Sequence, residues 1–340
     1  MTYNNQRLAW VSWCKVLCMF LVFFYHSESR SHYYVFRVND IIEPFFVNVF
    51  FLISGYLIFR KNLKPEIYKL CMKDYWHDYG KAYLYNVVFK IVIPTILFGA
   101  LLFVPKVLMR GGEMDLHLFL RHSIGGCGLW FTPALAVAEL LLFCLLIFRK
   151  FNPYFVLLCS VGFIFIAEML HDKGVSGFPW FYQTGMLATI FMAMGGVVYD
   201  LEHRIKNHYI KSKEILYFAG IVTYVTICLT ITPPLTINVL KISFWGYVMA
   251  IFSCIIIIHY AKKLPAITFI DKIGSHTLGL YFLSGAIPET LCNITKKSLE
   301  FNSMIICGIA LVSFIIGIVL NEMMVRFVPF LFDLRLLKKK

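Results

Sequence analysis

The chain has 340 residues, of which 59% are hydrophobic and only 15% are charged, and its mean hydropathy is +0.73. A soluble protein of this size could not bury so much apolar surface, and disorder, a coiled coil and a secreted disulfide scaffold are excluded as well. We therefore expect an all-α integral membrane protein. The formal net charge of +13 does not indicate nucleic-acid binding, because the 32 basic residues are dispersed between apolar runs.

Ten apolar runs are long enough, or nearly so, to cross roughly 30 Å of hydrocarbon. We predict a bundle of about ten transmembrane helices that forms one membrane-embedded domain over residues 1–340. The sixth run contains two adjacent glycines and is the weakest of the ten. The predicted spans are 8–27, 41–59, 84–104, 129–148, 154–170, 185–199, 215–232, 243–260, 276–293 and 304–325.

The Lys and Arg residues between these spans indicate an orientation. If the N-terminus is cytoplasmic, 21 basic residues fall on the cytoplasmic side and 9 on the outer side, while Lys15 and Lys90 lie inside spans. Because basic loops stay in the cytoplasm, we predict that both termini are cytoplasmic. The first run contains Lys15 and lacks a small-residue cleavage site, so we expect a retained helix rather than a signal peptide.

The ten cysteines are read as small apolar residues. They form no paired C-x-x-C motif, and although Cys14 and Cys18 share a helix face, they have no suitably placed further ligands. We therefore expect no metal site.

The first predicted helix carries two ionisable side chains, Lys15 and His26. Eleven residues correspond to about 16.5 Å along a helix and to a rotation only about 20° from three full turns, so both lie on one face. In the predicted orientation Lys15 is in the inner half of the membrane and His26 is near the outer end. A lysine there could attract an anion, and a histidine could accept a proton from a hydroxyl. The alternative is that Lys15 extends to the interface and His26 is an interfacial residue.

Other polar side chains lie within or beside later spans. Glu139 is two and a half turns into the fourth helix, where a carboxylate needs a partner or a proton, and we expect a functional group or an ion-pair partner of Lys15 or Lys90. Residues 54–55 are a Ser-Gly step that allows close helix approach, for ordinary packing or for a ligand.

Four short segments occur in the order found in a known family. Lys15 and His26 fit the pattern R/K-x10-H, and residues 48–57 read NVFFLISGYL, close to F-F-x-x-S-G-Y-L. Residues 128–131 read GLWF, similar to h-L-W-F before a fourth helix, and residues 273–281 read IGSHTLGLY, similar to I-G-x-x-T-L-x-I-Y. Together these segments resemble the acyltransferase-3 family of membrane acyltransferases.

The chain also departs from that family's pattern. Many members have Asp where this chain has Asn48, and many follow the late tyrosine with L-L-H, where residues 282–284 read FLS. An R-x-x-R pair before the third helix is absent, and Lys90 with Lys81 is only an approximate substitute. These departures leave the acceptor open.

The resemblance implies transfer of an acyl group, usually acetyl and sometimes succinyl, from a cytoplasmic acyl-coenzyme A to a hydroxyl of a surface or envelope glycan. His26 is then the expected general base. From their charge and depth, Glu139 and Glu43 are the candidates for orienting its imidazole. The donor-binding residues that we expect are Lys15, Lys81, Lys90, Asn48, Ser54 and Trp130.

The implied partners are acyl-CoA, most simply acetyl-CoA as co-substrate, a glycan or lipid-linked sugar, and the lipid bilayer. We expect no permanently bound cofactor, no nucleic-acid partner, and a location in the inner cell membrane of a bacterium. The main alternative is a proton-coupled secondary transporter or glycan exporter, since ten helices with Lys, His and Glu at membrane depth also suit transport. A membrane scaffold without activity is a third alternative.

Overall fold

The computed structural model describes residues 8–62, 72–110, 112–148, 152–175, 177–204, 212–230 and 244–339. All regular structure in these ranges is helical, as expected for a membrane protein whose spans must satisfy their own backbone groups. The helices are α1 Ala9–Ser31, α2 Val38–Phe46, α3 Asn48–Asn62, α4 Met72–Tyr75, α5 Lys81–Val87, α6 Ile93–Arg110, α7 Leu116–Ser123, α8 Phe131–Phe148, α9 Pro153–Asp172, α10 Tyr182–Arg204, α11 Ser212–Thr230, α12 Phe244–Ala261, α13 Thr268–Ser275, α14 Thr277–Leu283, α15 Ala286–Thr295 and α16 Ser303–Phe327.

Six stretches of the described chain are long and apolar enough to cross a membrane, so the protein is a multi-pass membrane protein. They are Ala9–Ser31, Val38–Lys61, Lys73–Leu108, Pro153–Asp172, Tyr182–Arg204 and Ser303–Phe327. Three shorter apolar helices, Phe131–Ile147, Glu214–Thr230 and Trp245–Ala261, correspond to three more of the predicted spans. Predicted residues 231–232 and 243 lie outside the described residues. The count of ten crossings and the cytoplasmic location of the termini stay predictions.

Two predicted spans differ clearly from the structure. The span predicted at 84–104 belongs to a much longer helical run, in which π-helical turns at Trp76–Gly80 and Val88–Val92 connect α4, α5 and α6. The span predicted at 276–293 is not one helix, because α14 ends at Leu283 and α15 begins at Ala286. Pro288 contributes to this interruption, since it has no N–H to donate to the carbonyl of Ser284 four residues earlier.

The sixth run, expected to be the weakest, is part of the 23-residue helix α10. Its glycines have a packing role. A Cβ on Gly195 would lie 2.1 Å from the Leu52 carbonyl oxygen, and one on Gly55 would lie 2.0 Å from the Met192 carbonyl oxygen. Only glycine permits such a close approach of α3 and α10, which is the use of small residues in membrane helix packing.

The described helices fall into two compact units. The described residues of the first lie within 8–50, 212–230 and 244–326, and those of the second lie within 51–204 and 327–339. In the first unit α1 is central and packs against α2, α12, α13, α14 and α15. In the second unit α10 lies between α8 and α9.

The interrupted segment 268–295 runs beside α1 in the same direction. Near the start of α1, Gly274 packs against the backbone of Ser12, where an added Cβ would be 2.8 Å from the Ser12 Cα. Near the end of α1, the thiol of Cys292 donates to the Ser27 carbonyl oxygen at 3.6 Å. The interruption at 284–285 lies between these two contacts and is therefore level with the middle of α1.

Candidate active site

Lys15 and His26 lie on the same unbroken helix, α1, as the sequence predicts. No proline or glycine interrupts residues 9–31, and the helix ends where His32 adopts a left-handed conformation with φ 57°. Both side chains are half-buried. The regular helix sets their separation along the axis at about 16.5 Å.

The face that carries Lys15 and His26 is turned toward protein rather than lipid. Met19 and Val22 lie on this face between the two, and they are only 2% and 5% exposed. Both ionisable groups are therefore flanked by packed side chains. A polar group in such a position is costly unless it has partners, and such groups are candidates for a role in binding or catalysis.

Tyr25 and Glu43 connect the outer end of α1 to α2. The ring of Tyr25 lies 5.8 Å from that of His26, centroid to centroid, and the Tyr25 side chain lies close enough to Glu43 for the two groups to interact electrostatically. Tyr25 also packs against Phe46 at 5.6 Å. Glu43 was considered from the sequence as a partner of His26, whereas Tyr25 was missed because nothing in the sequence distinguishes it from the other tyrosines.

Glu28 was also missed, and it fixes the loop that follows α1. The residue is fully buried, and its Oε1 accepts a hydrogen bond from the Val35 backbone N–H at 2.6 Å. The Asn39 side chain lies close to this carboxylate. Its position two residues after His26 is the only sequence signal that could have drawn attention to it.

Asn48 lies at the junction of α2 and α3 and is 1% exposed. Its Nδ2 donates to the Pro44 carbonyl oxygen at 2.8 Å. An ionised aspartate, which many family members have at this position, could not donate that bond. The amide therefore stabilises the helix junction, and the structure gives no contact that tests the predicted role in donor binding.

In the second unit the structure brings Ser54 and Glu139 together. The Ser54 hydroxyl donates to Oε1 of Glu139 at 3.4 Å, and the Tyr83 hydroxyl donates to the Glu139 backbone oxygen at 3.1 Å. Tyr83 is held by stacking on Phe143, with ring centroids 4.8 Å apart. The carboxylate thus has a hydroxyl partner from α3, which the sequence could not indicate because the residues are 85 positions apart.

Lys81 and Lys90 are exposed and lie at the two π-helical turns. Such turns are frequent at functional sites. Asp333 is close enough to Lys90 to respond to its charge: a hydrogen bond from Arg335 lowers the pKa of Asp333, and Lys90 lowers it further. Arg335 also donates to Asn86 at 3.2 Å, so the segment after α16 packs onto the α5 region. Lys90 therefore faces a carboxylate as well as solvent.

Trp130 directly precedes α8 and follows a glycine-rich turn. Lys106, which sequence reasoning did not single out because it falls just beyond the predicted third span, donates from Nζ to the Gly128 carbonyl oxygen at 2.9 Å. The turn before Trp130 is thereby anchored to α6.

The predicted site residues are divided between the two units. Lys15, His26 and Asn48 belong to the first, and Ser54, Lys81, Lys90, Trp130 and Glu139 belong to the second. Within the units, the structure pairs Ser54 with Glu139 and places Lys15 and His26 on one helix.

The all-helical structure with several membrane-crossing helices defines a multi-pass membrane protein of the acyltransferase type. More specifically, the chain belongs to the acyltransferase-3 family, whose model, described as "Acyltransferase domain", matches residues 8–322. The match is continuous through both units and confirms the resemblance inferred from the four motifs. Comparisons with curated proteins and with solved structures gave no match.

Proposed function

We propose that this acyltransferase moves an acyl group from a cytoplasmic acyl-CoA to a hydroxyl of a cell-surface or envelope glycan. Acetyl is the first choice of acyl group and succinyl the second. Membership of the family supports an acyltransferase acting on a hydroxyl. We further propose that the protein resides in the inner cell membrane of a bacterium, with its basic loops in the cytoplasm.

The observation that carries the proposal is the placement of Lys15 and His26 on one protein-facing side of α1. A regular helix holds the two groups about 16.5 Å apart along its axis, with one toward each side of the membrane. Coenzyme A is a polyanion with a long thin arm. In the proposed orientation, the lysine near the cytoplasmic entrance binds the phosphates of the donor. The thioester at the far end of the arm then reaches toward the base near the outer end of the helix.

In the proposed reaction, His26 accepts the proton of the glycan hydroxyl. The hydroxyl oxygen attacks the thioester carbonyl carbon, a new C–O bond forms, and the C–S bond breaks. The leaving thiolate takes up the proton from His26. The products are an acylated glycan and free coenzyme A.

Two carboxylates are proposed to support this chemistry. Glu43 belongs to the same unit as His26 and lies close to Tyr25, the residue that precedes His26 in the chain. Glu43 is therefore the preferred candidate for orienting the imidazole. Glu139, which accepts a hydrogen bond from Ser54, is retained as a second candidate for a catalytic role.

Lys15 is proposed to lie along the donor path, with Lys81 and Lys90 as further cationic contacts for the coenzyme A phosphates. Asn48, Ser54 and Trp130 complete the proposed donor-binding set. The interruption of segment 268–295 supports this path, because a break in a helix at membrane depth is tolerated where it is buried in protein or borders a polar cavity.

A reconstituted assay tests the proposal. Protein in nanodiscs is incubated with labelled acetyl-CoA or succinyl-CoA and an envelope glycan extract, and both free thiol and label in the glycan are measured. We expect glycan-dependent thiol release with equal incorporation of label. Lys15→Met should raise the KM for acyl-CoA by about tenfold, because the variant loses roughly one charge-assisted hydrogen bond to the donor. The matched control, Lys61→Met, removes an exposed lysine at the end of α3 and should leave the KM unchanged.

The same assay separates the enzyme from the alternatives. A transporter, an exporter or a scaffold should release no thiol with either donor. Thiol release that does not depend on glycan would indicate a thioesterase and would also contradict the proposal.

A further inference from the structure

The end of the second unit where α7 and the segment before α10 meet contains an open cavity of about 410 Å³. Its walls come from α7 and the turn after it, and from residues 178–180. In the predicted topology both segments are on the outer side, where the glycan acceptor is expected. The lining residues are His117, Leu120, Arg121, Ile124, Gly125, Phe178, Pro179 and Trp180.

Backbone contacts build the cavity. The Trp180 N–H donates to the Gly125 carbonyl oxygen at 3.1 Å, which joins the two segments. A Cβ on Gly125 would lie 2.5 Å from the Phe178 ring, so glycine is required for the ring to take its place in the wall. The following residue, Gly126, has φ +75°, a left-handed conformation that glycine adopts without penalty.

Trp180 and Phe181 are held in an unusual backbone conformation, with φ of 65° and 49°. Bulky residues rarely adopt the left-handed region, and such outliers cluster at binding and active sites. Trp180 lines the cavity. The backbone is thus strained at the residue whose indole ring lines the cavity.

Arg121 gives the cavity its charge. The guanidinium lies over the Phe178 ring, 5.2 Å from its centroid, and the side chain is exposed. In the part of the chain that the structure describes, no acidic residue lines the cavity and no carboxylate forms an ion pair with Arg121. The nearby carboxylate of Asp115 instead accepts the Leu118 N–H at the start of α7.

We propose that this cavity binds an anionic sugar unit of the acceptor glycan. The apolar C–H face of a sugar ring packs on the Trp180 and Phe178 rings, and Arg121 donates paired hydrogen bonds to a carboxylate or phosphate on that sugar. His117 is a second donor at the rim. A purely apolar occupant would leave the guanidinium without an anionic partner, which favours a charged sugar. The assignment rests on the proposed function only in taking the acceptor to be a glycan.

Direct binding tests the proposal without any acyl transfer. The full-length protein in phosphatidylcholine nanodiscs is titrated with trigalacturonic acid, its fully methyl-esterified form, and mannose 6-phosphate. We expect at least one anionic sugar to bind, and trigalacturonic acid to bind about tenfold or more tightly than its neutral ester.

Variants sharpen the test. Arg121→Leu keeps an apolar stem against Phe178 and should abolish the preference for the anion, and Trp180→Ala should weaken binding of every sugar that binds. The matched control Lys173→Leu removes another exposed cation from the same predicted side and should change nothing. Because sugar binding is measured without acyl-CoA, failure of the acyl-transfer proposal and failure of this one are distinguishable.

Three results would overturn the assignment. One is the absence of binding of both anionic sugars at millimolar concentration. Another is binding that Arg121→Leu leaves intact. The third concerns nanodiscs that contain phosphatidylglycerol. If sugar binding is lost in these nanodiscs and Arg121→Leu restores sugar binding, the cavity is a site for a lipid headgroup.

Discussion

Two neighbouring segments of the first unit, α1 and residues 268–295, run in parallel but differ in continuity. The first is one helix of 23 residues, and the second is divided into α13, α14 and α15. The unbroken helix fixes the distance and the shared face of Lys15 and His26. The second segment is broken at residues 284–285, beside the middle of α1. A fixed spacing and a break in the helical path, which one regular helix cannot provide together, are thus supplied by two adjacent segments.

Inserting one residue into each segment should change the rate of acyl transfer very differently in the two cases. One alanine inserted after Phe20 rotates His26 by about 100° relative to Lys15, so we expect acyl transfer to fall about 100-fold or more. One alanine inserted after Ser284 falls where the helix is already interrupted, and activity should fall by less than about tenfold. Both proteins are checked for folding by size-exclusion chromatography before activity is measured. Equal losses in two folded proteins would contradict the difference in rigidity.

A smaller effect is expected from two glycines of the interrupted segment. Gly274→Ala places a Cβ within 2.8 Å of the Ser12 backbone and should destabilise the protein by about 1–3 kcal/mol. Gly285→Ala meets nothing within 4 Å and serves as the control, with an unchanged melting temperature. Thermal unfolding in detergent measures both. Unchanged stability in Gly274→Ala would show that the contact with α1 is looser than described.

The smallest effect concerns the interruption at His276. The Asn321 Nδ2 donates to the His276 carbonyl oxygen at 3.0 Å, and Asn321 is only 4% exposed. Asn321→Ala should therefore cost about 1 kcal/mol, because it removes one of the two hydrogen bonds that the His276 carbonyl accepts, the other coming from the Gly279 N–H. On the same helix, the buried Ser313 hydroxyl has no partner among the described residues, and Ser313→Ala should be neutral. A stable Asn321→Ala protein would mean that water replaces the amide.

The unbroken helices could be predicted from the sequence because they depend on residue composition. The first and last predicted spans, 8–27 and 304–325, agree well with Ala9–Ser31 and Ser303–Phe327. Hydropathy shows where the apolar residues lie. A helix, however, continues for as long as its backbone hydrogen bonds are made, whether or not its residues are apolar. For this reason the long run beginning at Met72 extends well before the predicted residue 84. The interruption at 284–285 was missed because only Gly285 and Pro288 signal it.

The candidate site could be predicted in part. The relative position of Lys15 and His26 could be predicted because both lie in one helix, where the number of residues between them sets their distance and their shared face. The Ser54 and Glu139 pair was not accessible, because it depends on how α3 and α8 pack. The same applies to Tyr83 and Lys106, whose importance comes from contacts with distant backbone carbonyls.

The proposed mechanism requires His26 to accept the proton of the acceptor hydroxyl. The most direct measurement compares the rate of acetyl transfer by wild-type protein with that of His26→Ala in nanodiscs, using labelled acetyl-CoA and envelope glycan. His32→Asn is the control, since it removes an exposed histidine at the end of α1 and keeps a residue that tolerates φ 57°. We predict that His26→Ala lowers the rate by about 10²–10⁴-fold with little change in the KM for acetyl-CoA, and that His32→Asn changes neither. Wild-type rates in a folded His26→Ala protein would contradict the mechanism.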